Sequence, residues 1–384
     1  MIIKRLNRIL LLARCLTRAI FYGKANKIPK SLHRIIVVPS GKLGDVVCTT
    51  PVLFAIRTYL PNTHIIVAGN SKLHRPLLAD SGLVDDYLDL EEDGTIARIK
   101  ECLADVAVVT GPSFEFVSLL YLAGIPLVIA PTVVGGVAHD VIRPYKIMQK
   151  FIKVFPHQIW GYAPRERLKA LEPVGINSHD TTKHLGFSEV AEKKATDLIS
   201  NISVPYKYIV GISAGAGGKE KQWDPKKFAQ VANYLIKKHG AHVIVFGGKD
   251  NVPESIETML AILDKSSVTD STCLSVDDLK AGISKLDVFI SANTGPLYIA
   301  EAFNIPTVDI LGPVDPLSQS PQGEIHKKVF PPGKPKPLIS TMNVRNHDTR
   351  EAKRIAKSTR LEDVITAAEE ALREVDKKRL IKRG

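Results

Sequence analysis

The chain has 384 residues, of which 45% are apolar and 24% charged, with 52 Lys and Arg against 40 Asp and Glu. This composition excludes a disordered polypeptide, and the net charge of +12 makes an anionic partner a class to consider. The length predicts two domains, because a single hydrophobic core rarely grows beyond about 250 residues.

The positive charge is concentrated at the two ends of the chain. Residues 1–33 hold eight Lys or Arg and no acid, and residues 371–384 hold six basic and two acidic residues. A nucleic-acid groove needs basic residues spread along a surface with stacking aromatics, so we expect no nucleic-acid partner. An anionic membrane surface fits this charge distribution better.

The first predicted element is a helix within residues 1–27. Its apolar residues recur at helical spacing: Ile2, Ile3, Leu6, Ile9, Leu10, Ala13, Leu16 and Ile20. Such a basic amphipathic helix predicts peripheral contact with the inner face of the cytoplasmic membrane, together with the basic C-terminal tail. A helix packed on the protein itself and a transit peptide are the alternatives. Arg14 and Arg18 interrupt the apolar run, which argues against a signal peptide or a spanning helix.

Strands and helices then alternate, which predicts an α/β protein with parallel sheets. Eight apolar runs are predicted as strands: 34–39, 64–68, 106–110, 127–129, 208–212, 242–246, 287–290 and 306–311. Helices are predicted at 46–59, 165–171, 225–238, 276–284 and 361–380. We therefore expect an arm (1–33), a first Rossmann-like domain (34–175), a linker (176–205), a second Rossmann-like domain (206–335), and a crossing segment with a final helix (336–384).

The first loop that could carry chemistry is Ser40–Asp45, between a predicted strand and a helix. Gly41 and Gly44 permit close backbone approach, and Lys42 places a cation beside the carboxylate of Asp45. Asp45 is either a first-turn acid that stabilises its helix or a general base aimed at an acceptor hydroxyl.

The second loop spans residues 213–223 and resembles a phosphate-binding cradle. Ser213, Gly215 and Gly217 are small, and Lys221 supplies a cation for a diphosphate. It is not a Walker A motif, because Lys219 is followed by Glu220, and a flexible glycine turn with solvated lysines is the alternative. Neither domain has GxGxxG after its first strand, which argues against a dehydrogenase.

The third loop is Ala292–Pro296. Pro296 suits the first position of a helix, so the main-chain N–H groups of Thr294 and Gly295 lie at a helix amino terminus and form a possible anion site. A purely structural turn between strand and helix could use the same residues.

The remaining residue types indicate neither a metal centre nor a disulfide framework. Cys15, Cys48, Cys102 and Cys273 show no CxxC spacing and are expected as buried or half-buried thiols in a reducing compartment. The eleven His form no HExxH pair, so we expect no metal held by protein ligands alone.

Together these segments resemble glycosyltransferase family 9, the family of ADP-heptose:lipopolysaccharide heptosyltransferases. The resemblance runs in order from about residue 34 to 320. Its matching segments are Gly44–Val47 with Thr50–Leu53, Gly215–Lys221 with Trp223, Thr294–Pro296 with Ile299–Ala300, and Leu311–Pro313.

The resemblance implies a GT-B fold in which the first domain binds an acceptor and the second binds a nucleotide-sugar. It favours an ADP-sugar as the donor. It also implies inversion at the anomeric carbon without a metal. Asp45 would be the base and Lys221 the cation on the diphosphate. Further expected contacts follow the same pattern: Lys42 and Gly44 for an anionic glycolipid acceptor, and Ser213, Gly215, Gly217, Asp250, Asn293, Thr294, Gly295, Pro296 and Tyr298 for the donor.

Two positions depart from the family's usual Asp-Thr-Gly-Pro-Met-His. Asn293 replaces the acid and Tyr298 replaces the His, so neither residue brings the charge of its counterpart. The expected function is transfer of heptose or a related sugar to a lipopolysaccharide core or related glycan. A non-catalytic nucleotide-sugar or glycan-binding protein, and an epimerase or hydrolase on the same scaffold, are the rival hypotheses.

Overall fold

The computed structural model describes residues 2–39, 41–248, 252–342 and 347–381. The chain divides into two compact units. Unit 1 comprises Met1–His184 with Thr341–Asn346, and unit 2 comprises Leu185–Ser340 with His347–Gly384. The roles expected for the two predicted domains, acceptor binding and donor binding, stay predictions.

Unit 1 contains a six-stranded parallel sheet with the order β3-β2-β1-β4-β5-β6. Its strands are β1 (Arg34–Val38), β2 (His64–Gly69), β3 (Asp86–Asp89), β4 (Val106–Val109), β5 (Leu127–Val134) and β6 (Lys153–Gln158). The order reverses between β1 and β4, which is the Rossmann-type switch point where loops leave the sheet in opposite directions and open a crevice.

The helices of unit 1 precede, connect and follow these strands. They are α1 (Ile2–Tyr22), α2 (Leu43–Val47), α3 (Thr50–Tyr59), α4 (Ser71–Leu78), α5 (Thr95–Glu101), α6 (Phe114–Ala123), α7 (Arg143–Met148) and α8 (Ala163–Leu168). A 3-10 helix, Lys169–Val174, follows α8.

Unit 2 repeats the same strand order in its own numbering, β12-β11-β10-β7-β8-β9, again with six parallel strands. They are β7 (Tyr208–Ser213), β8 (Ala241–Gly247), β9 (Val268–Thr272), β10 (Val288–Ala292), β11 (Thr307–Ile310) and β12 (Lys327–Val329). Its switch point lies between β7 and β10. The predicted α/β class with parallel sheets is thus confirmed in both units.

The helices of unit 2 are α9 (Glu189–Ser200), α10 (Pro225–His239), α11 (Val252–Ala261), α12 (Val276–Ser284), α13 (Gly295–Ala302), α14 (Thr349–Ser358) and α15 (Leu361–Ile381). Short 3-10 helices cover Lys219–Lys221 and Lys265–Ser267. Both helices α10 and α15 bury apolar residues in one core cluster with the sheet.

The predicted helix 46–59 is wrong as one element. The chain forms α2 and α3, which are separated at Cys48 and Thr49. Pro51 lies in the first turn of α3, where its missing N–H costs no hydrogen bond, so the proline favours a new helix start at this point.

The predicted amino-terminal helix is present and packs on unit 1. Leu11, Leu12, Cys15 and Ala19 of α1 join the core cluster to which α6 contributes. Arg8 Nε donates to Glu115 Oε1 at 2.6 Å, and the chain after the helix bonds to the sheet through Ala25 N and Phe151 O at 2.8 Å. Membrane contact by this segment stays a prediction. Among the described residues, no helix combines the length and hydropathy needed to cross a bilayer.

The four cysteines are free thiols, and the prediction that they are buried or half-buried is confirmed for three of them and wrong for Cys273. Cys15 and Cys48 are buried, Cys102 is half-buried and Cys273 is exposed. Burial raises the pKa of the Cys15 and Cys102 thiols, so both favour the protonated form at neutral pH.

Gly211 lies inside β7, where a methyl group has no room. A Cβ there would lie 2.8 Å from the Phe289 ring and 3.1 Å from the Phe246 ring. We expect Gly211→Ala to lower the free energy of unfolding by about 1–3 kcal/mol, because overpacking a dense core forces side chains off their rotamers. Urea denaturation measures this. Gly248→Ala is the control, because a Cβ at Gly248 meets nothing within 4 Å, and equal effects of the two changes would contradict the prediction.

Candidate functional site

In unit 1 the functional residues predicted from the first loop gather at the carboxyl end of β1, beside the switch point. Asp45 is the third residue of α2, and its Oδ2 accepts the main-chain N–H of Lys42 at 3.0 Å. Gly44 is buried in the same helix and Lys42 is exposed before it. Ser40 lies outside the described residues.

Gly41 leaves space for the Asp45 carboxylate. Its φ is +91°, a conformation that favours glycine, and a Cβ on Gly41 would overlap Asp45 Oδ2. The glycine is therefore required by both the backbone turn and the position of the acid.

Arg167, on α8, fixes this carboxylate and was not predicted from the sequence. Its Nη2 donates to Asp45 Oδ1 at 3.0 Å and its Nη1 donates to the main-chain oxygen of Asp45 at 2.8 Å. The Arg167 side chain is 1% exposed whereas that of Asp45 is 20% exposed. A buried cation thus holds in place a carboxylate that still reaches solvent.

Further charged residues surround Arg167. Glu166 accepts from Lys169 Nζ at 2.7 Å and from the main-chain N–H of Gln158 at 2.8 Å. Burial, together with the nearby charges of Arg167 and Lys169, lowers the pKa of His157 to about 3. His157 is therefore neutral at physiological pH and does not add to the positive charge beside Asp45.

In unit 2 the second and third loops follow two neighbouring parallel strands, β7 and β10, which end at the same level of the sheet. Ser213 of β7 pairs with Ser291 of β10 in the parallel register. Both loops therefore begin at the switch point of the second sheet, where open α/β sheets bind ligands.

Lys221 links the two loops. Lys221 Nζ donates to the main-chain oxygen of Asn293 at 3.1 Å. The segment that carries Lys221 is anchored by Trp223, which is 1% exposed and donates from Nε1 to Thr359 O at 3.0 Å. Ser213 and Gly215 are buried and Gly217 is exposed.

Helix α13 begins at Gly295, one residue before the predicted start at Pro296, because Pro is tolerated anywhere in the first helical turn. Thr294 is the residue before the helix and gives no side-chain cap, because its hydroxyl bonds the Ser291 hydroxyl at 3.1 Å instead. Gly295 and Pro296 are half-buried at the first two helical positions. The positive end of the helix dipole is thus directed past Thr294 and Gly295, close to the loop that holds Lys221.

Asn293 and Tyr298 are bonded to each other rather than presented to solvent. Tyr298 OH donates to Asn293 Oδ1 at 2.7 Å, and the two residues are 2% and 5% exposed. Asn293 Nδ2 donates to Asp309 Oδ2 at 2.9 Å and to Ser320 Oγ at 3.1 Å. Their predicted contact with the donor stays a prediction. Asp250 lies outside the described residues.

Asp309, on β11, is a second residue that the sequence analysis missed. It is 1% exposed, and burial raises the pKa of its carboxyl to about 6 against the opposing effects of Ser320, Asn293, Lys328 and Lys221. Its carboxylate adds a buried negative charge behind Asn293, the residue that replaces the acid of the family's usual motif.

A family model for glycosyltransferase family 9 (heptosyltransferase) matches residues 124–337. The two Rossmann-like units, each with a parallel six-stranded sheet, define the GT-B fold. The chain belongs to glycosyltransferase family 9.

Two curated relatives are heptosyltransferases. Lipooligosaccharide heptosyltransferase 2 of Campylobacter jejuni is 29% identical over 119 residues, which is 30% of this chain and 37% of that protein. Lipopolysaccharide heptosyltransferase 3 of Escherichia coli is 23% identical over 281 residues, 71% of this chain and 80% of that protein. The first match thus spans well under two thirds of the relative's length.

Solved structures share the fold over most of the chain. A family 9 glycosyltransferase from Veillonella parvula has a TM-score of 0.69 at 19% identity, covering 89% of this chain and 97% of its own. The Escherichia coli heptosyltransferase WaaC with ADP has a TM-score of 0.59 at 13% identity, covering 78% and 94%. Among the described residues, no group of three His, Cys, Asp or Glu is placed to hold a metal ion.

The raised pKa of Asp309 predicts a pH-dependent contribution to stability. Its folded value of about 6 lies above the ordinary 3.8, so its contribution is full below about pH 4 and is lost as the pH rises through 6. We expect Asp309→Asn to gain stability relative to wild type between pH 4 and pH 7, by at most about 3 kcal/mol.

Urea denaturation of both proteins at several pH values measures this difference, with the wild type at each pH as the reference. A difference that does not change between pH 4 and pH 7 would contradict the burial argument.

Proposed function

We propose that this chain is an inverting, metal-independent glycosyltransferase that moves a heptose or related sugar from an ADP-sugar to a lipopolysaccharide core or related cell-envelope glycan. The observation that carries the proposal is the Asp45 carboxylate, held by buried Arg167 at a switch point and still 20% exposed. Family membership supports the reaction class, and the ADP bound by the structurally similar WaaC supports the donor nucleotide.

In the proposed reaction Asp45 accepts the proton of an acceptor hydroxyl while that oxygen bonds to the anomeric carbon. The bond between this carbon and the diphosphate oxygen breaks in the same displacement, and ADP leaves with the electron pair. One displacement inverts the configuration and needs no covalent intermediate. Arg167 acts through Asp45 and is a positioning residue.

In this proposal, groups of unit 2 stabilise the negative charge on the departing diphosphate. Lys221 supplies a cation, and the N–H groups of Thr294 and Gly295 supply donors at the start of α13. These groups perform the electrostatic task that a divalent metal performs in other transferases.

The proposed partners and location follow from the acceptor and from the charged ends. The acceptor is an anionic glycolipid, and the protein would lie on the cytoplasmic face of the membrane as a peripheral protein, through residues 1–27 and the basic tail. In the tail, Arg379 donates to Asp287 at 2.8 Å and Lys378 to Asn304 O at 3.1 Å. Because these two cations serve unit 2 itself, the amino-terminal segment supports the proposal more strongly.

Replacing Asp45 should separate chemistry from donor binding. We expect Asp45→Asn to lower the transfer rate by about a thousandfold or more, because the amide keeps the shape of the carboxylate and cannot take a proton. The affinity for ADP, measured by calorimetry, should change less than about twofold. Retained transfer would remove the role of Asp45, and ADP binding without any transfer by the wild type would favour the binding-protein hypothesis.

Arg167 and Arg165 form a matched pair on α8, since Arg165 is exposed and Arg167 is buried. We expect Arg167→Lys to lower kcat about tenfold to a hundredfold with little change in the donor KM, because lysine has one nitrogen and lacks the planar two-nitrogen fork that holds Asp45 Oδ1 and the Asp45 main-chain oxygen. Arg165→Lys is the control and should leave both constants unchanged. Equal kinetics of the two variants would contradict a positioning role.

Lys221 is expected to control donor affinity. Lys221→Ala should weaken ADP binding by about tenfold or more, because a charge-assisted contact to the diphosphate is lost. Lys237→Ala removes one exposed charge from the same unit at the far end of α10 and is the control. Calorimetric titration with ADP distinguishes them, and equal affinities would exclude Lys221 from the donor site.

A further inference from the structure

Helix α1 has two apolar faces, and among the residues that the structure describes one face is covered and the other is exposed. The inner face is the one that packs on unit 1, through Leu11, Leu12, Cys15 and Ala19. The outer face consists of six exposed apolar side chains, given with their exposed fractions: Leu6 55%, Ile9 58%, Leu10 57%, Leu16 40%, Ile20 80% and Phe21 75%.

The six outer side chains form one continuous surface. At 100° per residue they fall within an arc of about 140°, roughly opposite the inner face. Within that arc, Thr17 donates its hydroxyl to Ala13 O at 3.0 Å, so its polar group is already satisfied inside the helix. The outer face is therefore mainly apolar, and the Thr17 hydroxyl within it needs no hydrogen bond from water.

Contacts on the inner side hold the helix in this orientation. Arg8 pairs with Glu115 at 2.6 Å, and Cys15 Sγ lies 3.9 Å from Ser118 O. At the end of the helix, Tyr121 OH donates to Gly23 O at 2.5 Å. The outer face is thus presented by a docked helix rather than by a loose segment.

The charges around the outer face identify its occupant. Arg14 lies at the border of the face, and Lys24, Lys27 and Lys30 follow the helix, all of them exposed. Residues 1–33 contain no Asp or Glu, so a second copy of this helix would bring like charges together. Anionic lipid headgroups would instead pair with these cations while the acyl boundary takes up the apolar side chains.

We propose that the outer face of α1 lies in the interface of an anionic bilayer, with its axis parallel to the membrane plane. The inner face keeps unit 1 attached to the helix, so membrane binding fixes which side of unit 1 faces the lipid. This inference rests on the peripheral membrane contact of the proposed function and assigns it to one helix face. Vesicle binding is measured without donor or acceptor, so its failure would leave the transferase reaction untouched.

The test is sedimentation of the full chain with vesicles of phosphatidylcholine, alone or with about a third phosphatidylglycerol. Wild type should bind the anionic vesicles, and the triple variant Ile9→Ser, Leu10→Ser, Ile20→Ser should lose about tenfold or more in partition coefficient. The control is Ile256→Ser, Leu260→Ser, Leu263→Ser, which changes three side chains of unit 2 that are 45%, 74% and 84% exposed, and it should bind as wild type does.

Charge is tested separately by Arg14→Glu with Lys24→Glu, which should abolish the preference for anionic vesicles. All variants change exposed residues, so their melting temperatures and circular dichroism should match wild type and show that loss of binding is not unfolding. Wild type that fails to bind, or an outer-face variant that binds undiminished, would overturn the proposal. A concentration-dependent dimer that the outer-face variant loses would overturn it in favour of a second copy.

Discussion

The direction of sheet growth is the constraint on which the candidate functional loops of each unit depend. In each unit the chain adds strands on one side of the first strand, and then crosses to add strands on the other side. The loops after β1 and after β7 therefore leave at a point where no crossover helix covers the sheet edge. Backbone N–H groups, glycines and a charged side chain can gather there without being buried. Asp45 and Lys221 both lie beside such a point, each in its own unit.

Buried charges then give these loops a defined geometry. Arg167 donates two hydrogen bonds to a single residue, Asp45, and its side chain is almost fully buried. In unit 2 the negative charge of Asp309 acts on Asn293 through the amide hydrogen bond, while Lys221 bonds to the main-chain oxygen of the same Asn293. Leaving any of these groups unpaired in the interior would cost several kcal/mol, so each constrains its neighbours.

The sequence predicted the eight central strands and missed the four at the sheet edges, β3, β6, β9 and β12. Central parallel strands are buried on both faces and give continuous apolar runs, whereas edge strands tolerate polar residues and proline. Thus β6 includes Pro156, and β12 is the three-residue segment Lys-Lys-Val. The loops with Asp45, Lys221 and Thr294 were found because each follows a central strand. Arg167 was not found, because its partner lies 122 residues away and Arg165 has the same local chemistry.

The docking of α1 on α6 has a consequence for how the chain is synthesised. Cys15 and its contact at Ser118 are separated by 103 residues, so α1 leaves the ribosome long before α6 exists. At a translation speed of about 5–20 residues per second, the helix waits roughly 5–20 s with both of its apolar faces uncovered. During that interval it is a nascent amphipathic segment available to chaperones or to lipid, and only later becomes part of a folded unit.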